Sequence, residues 1–197
     1  MKNRPVHICG PKGGCGKTAA ALNVAGGLSA RGLSVLLVDL DPNGPIGGAT
    51  RWAQLAHAAG RETTFLVSPA VPRNATFDVI VYDHPPQQTT KLPEGQFIVP
   101  TTLDPGTYFS TREVVQLLRH RNVTPIVVAM RARLDRSEPR RLVAALGEDV
   151  PVIRDRAVIP ACFGRGATVY DDGVGLNHTR LARAEFDQII SQLLTKD

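Results

Sequence analysis

One segment restricts the possible folds of this chain more than any other: residues 9–25, which read CGPKGGCGKTAAALNVA. The apolar run PVHICG around its start predicts a β-strand, and KTAAALNVAGGLSARG predicts the helix that follows. A glycine-rich turn between a strand and a helix is typical of a phosphate-binding loop, whose pattern is Gly, four residues, then Gly-Lys-Ser/Thr. Here Pro11 occupies the position of the first glycine, and a second lysine, Lys12, follows it.

The rest of the chain alternates short runs rich in Val and Ile with helical patterns. The predicted strands include SVLLVDLD, FDVIVYD, GQFIVPT and TPIVVAM, and the predicted helices are STREVVQLLRH, SEPRRLVAALG and HTRLARAEFDQIISQLL. This alternation predicts an α/β fold: a single domain over residues 1–197, with a mostly parallel twisted sheet and helices on both faces. Together with the glycine-rich loop, it indicates the P-loop NTPase type. The connections AVPRNAT and QQTTKLPE are too short for helices and predict loops.

Composition narrows the protein class further. No apolar run is long enough to span a bilayer, and the first residues, MKNRPVHICG, do not resemble a secretory signal. Cys9, Cys15 and Cys162 have no metal-ligand spacing, which favours a reduced cytoplasmic protein over a disulfide or zinc framework. The net charge of +5 permits binding to nucleic acid or another acidic surface but does not require it.

The glycine-rich loop predicts a nucleotide phosphate site. Its backbone N–H groups and the positive end of the helix dipole would attract phosphate, while Lys17 would reach the β- and γ-phosphates and the Thr18 hydroxyl would bind Mg²⁺. A chance glycine turn would not explain the preceding strand, the following helix and the Gly-Lys-Thr sequence together. The residues predicted to hold the nucleotide are Gly13, Gly14, Cys15, Gly16, Lys17, Thr18 and Ala19.

Three carboxylates are predicted to join this site from the ends of strands. Asp83 ends FDVIVYD, where it could hold Mg²⁺ directly or through water. Asp39 and Asp41 end VLLVDLD, and strand alternation predicts that they lie on one side. One of them could orient an attacking water; an acidic cap on a strand end is the alternative. Asp78, at the opposite end of the strand of Asp83, is predicted to be structural.

These motifs resemble those of a known family. PKGGCGKT looks like the deviant Walker A motif of the ParA/MinD family, VLLVDLDPNG like its second motif, and FDVIVYDHPP like its Walker B strand. FIVPTTLDPGTYFST also resembles the segment that follows in that family. The resemblance is greatest to the small ParA proteins of plasmid partition, which lack an N-terminal DNA-binding extension.

The resemblance implies a role for each charged residue of the site. Lys12 would be the signature lysine, which crosses an ATP-sandwich dimer to touch the partner's nucleotide. Lys17 would act on the nucleotide of its own chain. Asp41 would position the hydrolytic water, while Asp39 and Asp83 would complete the Mg²⁺ shell with Thr18.

The resemblance also implies a cellular function. The chain would be a slow, Mg²⁺-dependent ATPase whose ATP-bound homodimer binds DNA without sequence preference. A ParB-like partner bound to a centromere-like site would stimulate hydrolysis, and the cycle would drive plasmid or chromosome partition on the nucleoid. The two shortened connections depart from larger relatives, and Met130-Arg131 stands where relatives often carry an Asn near adenine, so the dimer surface and base recognition are expected to differ.

Clustered arginines are the candidate DNA surface. If they project from one edge of the sheet, they could neutralise phosphates without reading bases. A solvated helix face with local ion pairs is the alternative. The arginines in question are Arg131, Arg133, Arg136, Arg140, Arg141, Arg154, Arg156 and Arg165.

The sequence leaves three other functions to consider. A MinD-like membrane-cycling ATPase would need a basic amphipathic C-terminal helix. The stripe from Phe186 to Leu194 has an uncharged or acidic polar face instead, which predicts core packing. A nucleotide-gated protein that positions a non-DNA cargo or a conjugation machinery remains an alternative, and a metabolic phosphotransferase is a weaker one. Trp52 is predicted to be packing, and the sequence assigns no role to His84 or to the scattered His7, His57, His120 and His178.

Overall fold

The computed structural model describes residues 3–41, 48–86 and 93–195. Within them, seven strands form one sheet in the order β3-β2-β4-β1-β5-β6-β7, and every pair of neighbours is parallel. The strands are β1 Arg4–Ile8, β2 Val35–Asp39, β3 Leu66–Ser68, β4 Val79–Asp83, β5 Gln96–Thr102, β6 Ile126–Ala132 and β7 Val152–Arg154. The helices are α1 Lys17–Ser29, α2 Ala49–Ala58, α3 Pro105–His120, α4 Ser137–Leu146, α5 Val158–Gly164 and α6 Thr179–Thr195. The predicted parallel α/β sheet is confirmed.

The central strands are buried on both faces, which explains their nearly continuous apolar sequences. All five residues of β2 are buried. On one face of the sheet, the largest apolar cluster joins alternate strand residues such as Val6 and Ile8 to α1 and α6. On the other face, Phe97 and Val99 of β5 pack against α3. The prediction of helices on both faces is therefore confirmed.

Helix α1 is the most enclosed helix of the described chain, with ten of its 13 residues buried. It approaches α6 closely at Gly27, where an added Cβ would lie 2.1 Å from the Ile190 methyl and 2.6 Å from the Tyr170 ring. A larger side chain could not fit without moving α6. Gly27 therefore sets the position of α1, and with it the position of the loop that leads into α1.

Asp78, the two short connections and the apolar stripe of α6 are the remaining local features. Asp78 is structural, as predicted, because its carboxylate accepts hydrogen bonds from the backbone and hydroxyl of Ser34 at 2.8 and 2.7 Å. The connection AVPRNAT contains no helix, as predicted, while QQTTKLPE lies mostly outside the described residues. In α6, Phe186, Ile189, Ile190 and Leu193 are buried, and Leu194 at the end of the stripe is exposed. No helix of the described residues is long and apolar enough to cross a bilayer.

Trp52 belongs to an element that the sequence did not predict. It lies on α2, is 1% exposed, stacks on Phe65 with ring centroids 5.1 Å apart, and donates its indole N–H to the Ala167 carbonyl at 2.9 Å. Its predicted packing role is confirmed. The short elements β7 and α5 were also missed, because three-residue strands and seven-residue helices leave almost no periodic pattern.

Candidate nucleotide-binding site

The loop between β1 and α1 needs glycine at two positions for conformational reasons. Gly14 and Gly16 have φ angles of 77° and 93°, which L side chains rarely adopt. A Cβ on Gly16 would also lie 3.0 Å from the terminal methyl of Met130. Helix α1 begins at Lys17, directly after Gly16, so its unpaired N–H groups face the loop. The local geometry is that of an anion-binding turn.

The two lysines of the loop point in different directions. Lys17 is 7% exposed, and its ammonium donates to the backbone carbonyl of Lys12 at 2.8 Å. Lys12 is exposed, and its ammonium lies 2.9 Å from where a Cβ on Gly106 would be, over the first turn of α3. The Lys17 ammonium therefore lies inside its own loop, whereas the Lys12 side chain extends away from the loop.

Asp39 and Asp83 end neighbouring strands and lie opposite each other in the β2–β4 register. Both are buried, at 1% and 4% exposed. Asp39 accepts the backbone N–H and hydroxyl of Thr50, both at 2.7 Å, and the backbone N–H of Asp41 at 3.1 Å. Three of its roughly four acceptor positions are thus occupied, so Asp39 fixes the start of α2 and the backbone of Asp41. Asp39 is therefore better suited to holding the residues around a metal ion than to binding the ion directly.

Asp83 has the opposite character. Burial raises the pKa of this carboxyl to about 7, and the nearby Asp39 and Asp41 carboxylates act in the same direction, while a hydrogen bond from Thr18 opposes them. Its Oδ1 is buried without a hydrogen-bond partner among the described residues. A buried carboxylate oxygen without a hydrogen-bond partner is costly, and a cation bound between it and the threonine hydroxyl would stabilise it.

This donor set fits Mg²⁺. The described residues contain no cluster of three or more His, Cys, Asp or Glu side chains that could form a cage for a metal. Mg²⁺ does not need one, because it usually takes one or two protein oxygens and completes its octahedron with phosphate and water. The sequence predicts that Asp83 and Thr18 supply such oxygens, and their position beside each other is compatible with that prediction.

Asp41 lies just beyond β2, not in it, because the strand ends at Asp39. It is half-buried and lines the same cavity as Asp39, Asp83 and Thr18. The predicted grouping of the three carboxylates is therefore observed, although strand alternation is not its cause. The hydrogen bond from the Asp41 backbone to Asp39 holds the two together.

A histidine pair beneath the site was missed by the sequence analysis. The rings of His7 and His84 meet with Nδ1 of His7 3.0 Å from Nε2 of His84, and Nε2 of His7 lies 3.2 Å from the Glu94 carbonyl oxygen. Burial lowers the pKa of His7, and burial with the charges of His7 and Lys17 lowers the pKa of His84 to about 4. The two residues are far apart in sequence, and only the parallel β1–β4 register brings them together.

The loop and the carboxylates form one end of a cavity of about 600 Å³. Its other end is apolar and includes Ile153, Ile159 and Phe163, a surface suited to the flat face of a purine. Met130 and Arg131 also line the cavity, Met130 beside Gly16 of the loop, and Arg131 holds a φ of 54°, which is rare for a residue other than glycine. The departure from the Asn of relatives thus falls on the cavity wall.

The candidate DNA arginines do not form one uniform group. Arg156 makes a two-point contact with Glu185, 2.7 Å at its closest, and lines the cavity together with Arg154 and Arg131. Arg165 donates to the Val174 carbonyl at 2.6 Å. The remaining arginines lie in the loop between β6 and α4 and on α4 and are exposed, although two of them make local contacts, Arg140 with the Leu134 carbonyl and Arg141 with Glu138. The exposed set is Arg133, Arg136, Arg140 and Arg141.

A glycine loop between a strand and a helix, a buried lysine inside it and carboxylates at the ends of adjacent strands define the P-loop class of nucleotide-binding proteins. Comparisons with known proteins place the chain more narrowly. The family model for the CobQ/CobB/MinD/ParA nucleotide-binding domain matches residues 6–91, which contain the loop and all three carboxylates. The chain belongs to the ParA/MinD family.

Individual relatives agree with this family. The chain is 31% identical over 166 residues to the "Maintenance of carboxysome distribution protein A" of Gloeobacter kilaueensis, covering 79% of this chain and 73% of the relative. Identity to the protein of the same name from Halothiobacillus neapolitanus is 26% over 206 residues, covering 93% of each. A solved structure of a putative plasmid partition protein from Borrelia burgdorferi bound to AMPPNP superimposes with a TM-score of 0.73 at 16% identity, covering 99% of this chain and 100% of that one.

Family membership confirms the expected activity: the chain is an ATPase, and ATP and Mg²⁺ are its cofactors. The individual roles of the site residues stay predictions, those of Lys12, Lys17, Thr18, Asp39, Asp41, Asp83 and the arginines alike.

Proposed function

We propose that this ATPase is a positioning protein of the ParA type. ATP closes a homodimer that binds DNA without sequence preference, and hydrolysis stimulated by a partner protein opens it again. The observation that carries the proposal is the opposite orientation of the two loop lysines, Lys17 buried in the loop and Lys12 exposed beside α3.

Nucleotide binding and the position of Lys12 are linked through one hydrogen bond. The Lys17 ammonium donates one of its three N–H bonds to the Lys12 carbonyl, which leaves two for the β- and γ-phosphates. The buried lysine therefore holds the backbone of Lys12 beside the bound nucleotide. Lys12 is not one of the described residues that line the cavity. Its exposed ammonium is therefore available to a nucleotide bound by a second protomer.

Asp41 is the residue best placed to orient water for hydrolysis. It is half-buried, lines the cavity, and its backbone is tied to Asp39. Asp83 and Thr18 would hold Mg²⁺, which would neutralise phosphate charge when bound. Asp41 is then left to accept a hydrogen bond from water.

The DNA surface of the proposal is the exposed arginine set of α4 and of the loop between β6 and α4. Arg133 and Arg136 lie on the surface after β6, next to the cavity wall at Arg131. Such side chains can approach phosphates without reading bases, which gives salt-sensitive binding without sequence preference. Arg156 and Arg165 are poorer candidates, because both already contact acceptors within the chain.

A gel-shift experiment with non-specific duplex DNA tests this function. The chain is mixed with ATP, ADP or no nucleotide at two salt concentrations, and Asp41→Ala is included to hold the ATP state. We expect a shift only with ATP, weakened by salt and lost in a combined Arg133→Ala and Arg136→Ala variant. Arg165→Ala is the matched control and should still bind. No shift in any nucleotide state would contradict the proposed DNA binding.

The cargo has two candidates. Plasmid or chromosome DNA is the first. A protein body is the second, and the names of the two carboxysome-distribution relatives favour it. Deleting the coding sequence from its host distinguishes them: falling inheritance of a replicon indicates DNA cargo, whereas normal inheritance with a misplaced protein assembly indicates a protein cargo. Neither effect would contradict a positioning role.

A further inference from the structure

We propose that His84 presents a hydrogen-bond acceptor to the phosphate end of the nucleotide site, and that His7 is a positioning residue that fixes which nitrogen of the His84 ring is that acceptor. The inference goes beyond the roles of the loop and the carboxylates. It concerns two residues in which the sequence showed no function.

The hydrogen-bonding pattern of the pair has one solution for neutral rings. The Glu94 carbonyl can only accept, so Nε2 of His7, 3.2 Å away, carries the proton that is donated to it. A neutral imidazole has one N–H, which makes Nδ1 of His7 an acceptor. Nε2 of His84, 3.0 Å from that atom, must then donate. Nδ1 of His84 is left with a lone pair.

The surroundings of His7 hold this arrangement in place. His7 is 3% exposed, and its ring stacks on Tyr82 and Phe97 with centroid distances of 4.8 and 5.1 Å. The strand register puts it directly beside both residues. A ring fixed between two aromatic faces cannot turn to exchange its nitrogens, and burial disfavours its charged form. The two hydrogen bonds therefore point the same way: His84 donates to His7, and His7 donates to the Glu94 carbonyl.

His84 lies at the phosphate end of the cavity. It follows Asp83, its backbone N–H donates to the Ile8 carbonyl at 3.1 Å, and the residue lines the cavity that Lys17 and Asp41 also line. The Lys17 charge acts on the His84 ring. Since Nε2 is used by His7, Nδ1 is the ring nitrogen available to a ligand here.

An acceptor at this end has a specific chemical use. A lone pair repels phosphate oxygens, so Nδ1 does not bind the phosphates and instead accepts from a donor, for which water is the natural candidate. A water that donates one O–H group to Nδ1 keeps the lone pairs of its oxygen free. Together with the hydrogen bond to Asp41, this second contact fixes the orientation of the water. The ordinary alternative is a histidine pair that only fills space under the site.

The tautomers can be measured without nucleotide. In ¹⁵N-histidine-labelled protein, NMR should show neutral His7 and His84, both protonated at Nε2, with a scalar coupling across the hydrogen bond from His84 to Nδ1 of His7. The exposed His57, His120 and His178 are internal controls and should show averaged tautomers. Protonation of His84 at Nδ1, or absence of the coupling, would overturn the proposal.

Two substitutions of His84 separate positioning from packing. Asparagine carries its amide oxygen near the Nδ1 position, whereas glutamine carries its amide near the Nε2 position. We expect His84→Gln to lower kcat by roughly tenfold or more with little change in the Kd for ATP, and His84→Asn to recover most of that loss. Equal kcat values for the two variants, or a loss of ATP affinity in parallel with kcat, would overturn the role.

His7→Phe tests the second half of the proposal, because it keeps an aromatic ring between Tyr82 and Phe97 but removes the acceptor. We expect the His84 ring to become a mixture of tautomers in the NMR spectrum and kcat to fall while ATP still binds. A His84 ring that stays protonated at Nε2 alone in this variant would show that His7 does not set the tautomer.

Discussion

Replacing Asp83 with asparagine should stabilise the protein when nucleotide and metal are absent. Asp83 is 4% exposed, its Oδ1 lacks a partner among the described residues, and its pKa is raised from 3.8 to about 7, chiefly by burial. Between those two values the folded carboxyl holds a proton that the unfolded one has lost, so the free energy of unfolding falls as pH rises. A difference of about 3 pKa units corresponds to at most about 4 kcal/mol.

The asparagine variant removes this loss because it has no proton to release. Its advantage over the wild type should be near zero at about pH 4, grow through the range up to about pH 7, and then stay constant. Urea unfolding at about pH 5 and about pH 8 in the presence of a chelator should show the advantage increasing by about 2–3 kcal/mol.

Asp172→Asn is the control for this prediction, since Asp172 is 93% exposed and its replacement removes no buried carboxylate. An Asp83→Asn variant that is less stable than the wild type at both pH values would refute the reasoning. The same variant should bind Mg²⁺·ATP poorly. The buried carboxylate that lowers the stability of the free protein would then be the group that binds the metal.

Three further substitutions test the packing around the site. Gly27→Ala should cost about 1–3 kcal/mol in urea unfolding, because its Cβ would overlap Ile190; a stable variant would contradict the close approach of α1 and α6. Gly16→Ala should weaken binding of a fluorescent ATP analogue at least roughly tenfold, because of its φ of 93° and the nearby Met130, and unchanged affinity would contradict this geometry. Trp52→Phe should lower the free energy of unfolding by about 1–3 kcal/mol by leaving a buried carbonyl unpaired, and a loss below the error of the measurement would show that this hydrogen bond is unimportant.

The nucleotide site was largely predictable because its chemistry is local. The loop from Pro11 to Thr18 carries its own signature, and Asp39 and Asp83 follow apolar runs that predict strands meeting at one edge of a sheet. The division of labour between these carboxylates was not predictable. It depends on Thr50, which reaches Asp39 from the start of a helix that the sequence analysis had not identified.

Contacts between distant segments account for the rest of what the sequence did not reveal. His7 and His84 are 77 positions apart, and their pairing depends on a register that hydrophobic patterning does not determine. The arginines show the same limit. Charge pattern grouped Arg156 with Arg133, but Glu185 on α6 engages only the former. Sequence patterns locate elements and local motifs, whereas tertiary partners decide which charged side chains are free to bind a ligand.

Sedimentation velocity of the ATP-loaded protein tests the central claim most directly. With Asp41→Ala to slow hydrolysis, we expect a monomer without nucleotide or with ADP and a dimer with Mg²⁺·ATP. Adding Lys12→Ala should keep ATP binding but return the protein to a monomer. A monomer in the presence of saturating ATP, or a dimer that persists without Lys12, would contradict the account.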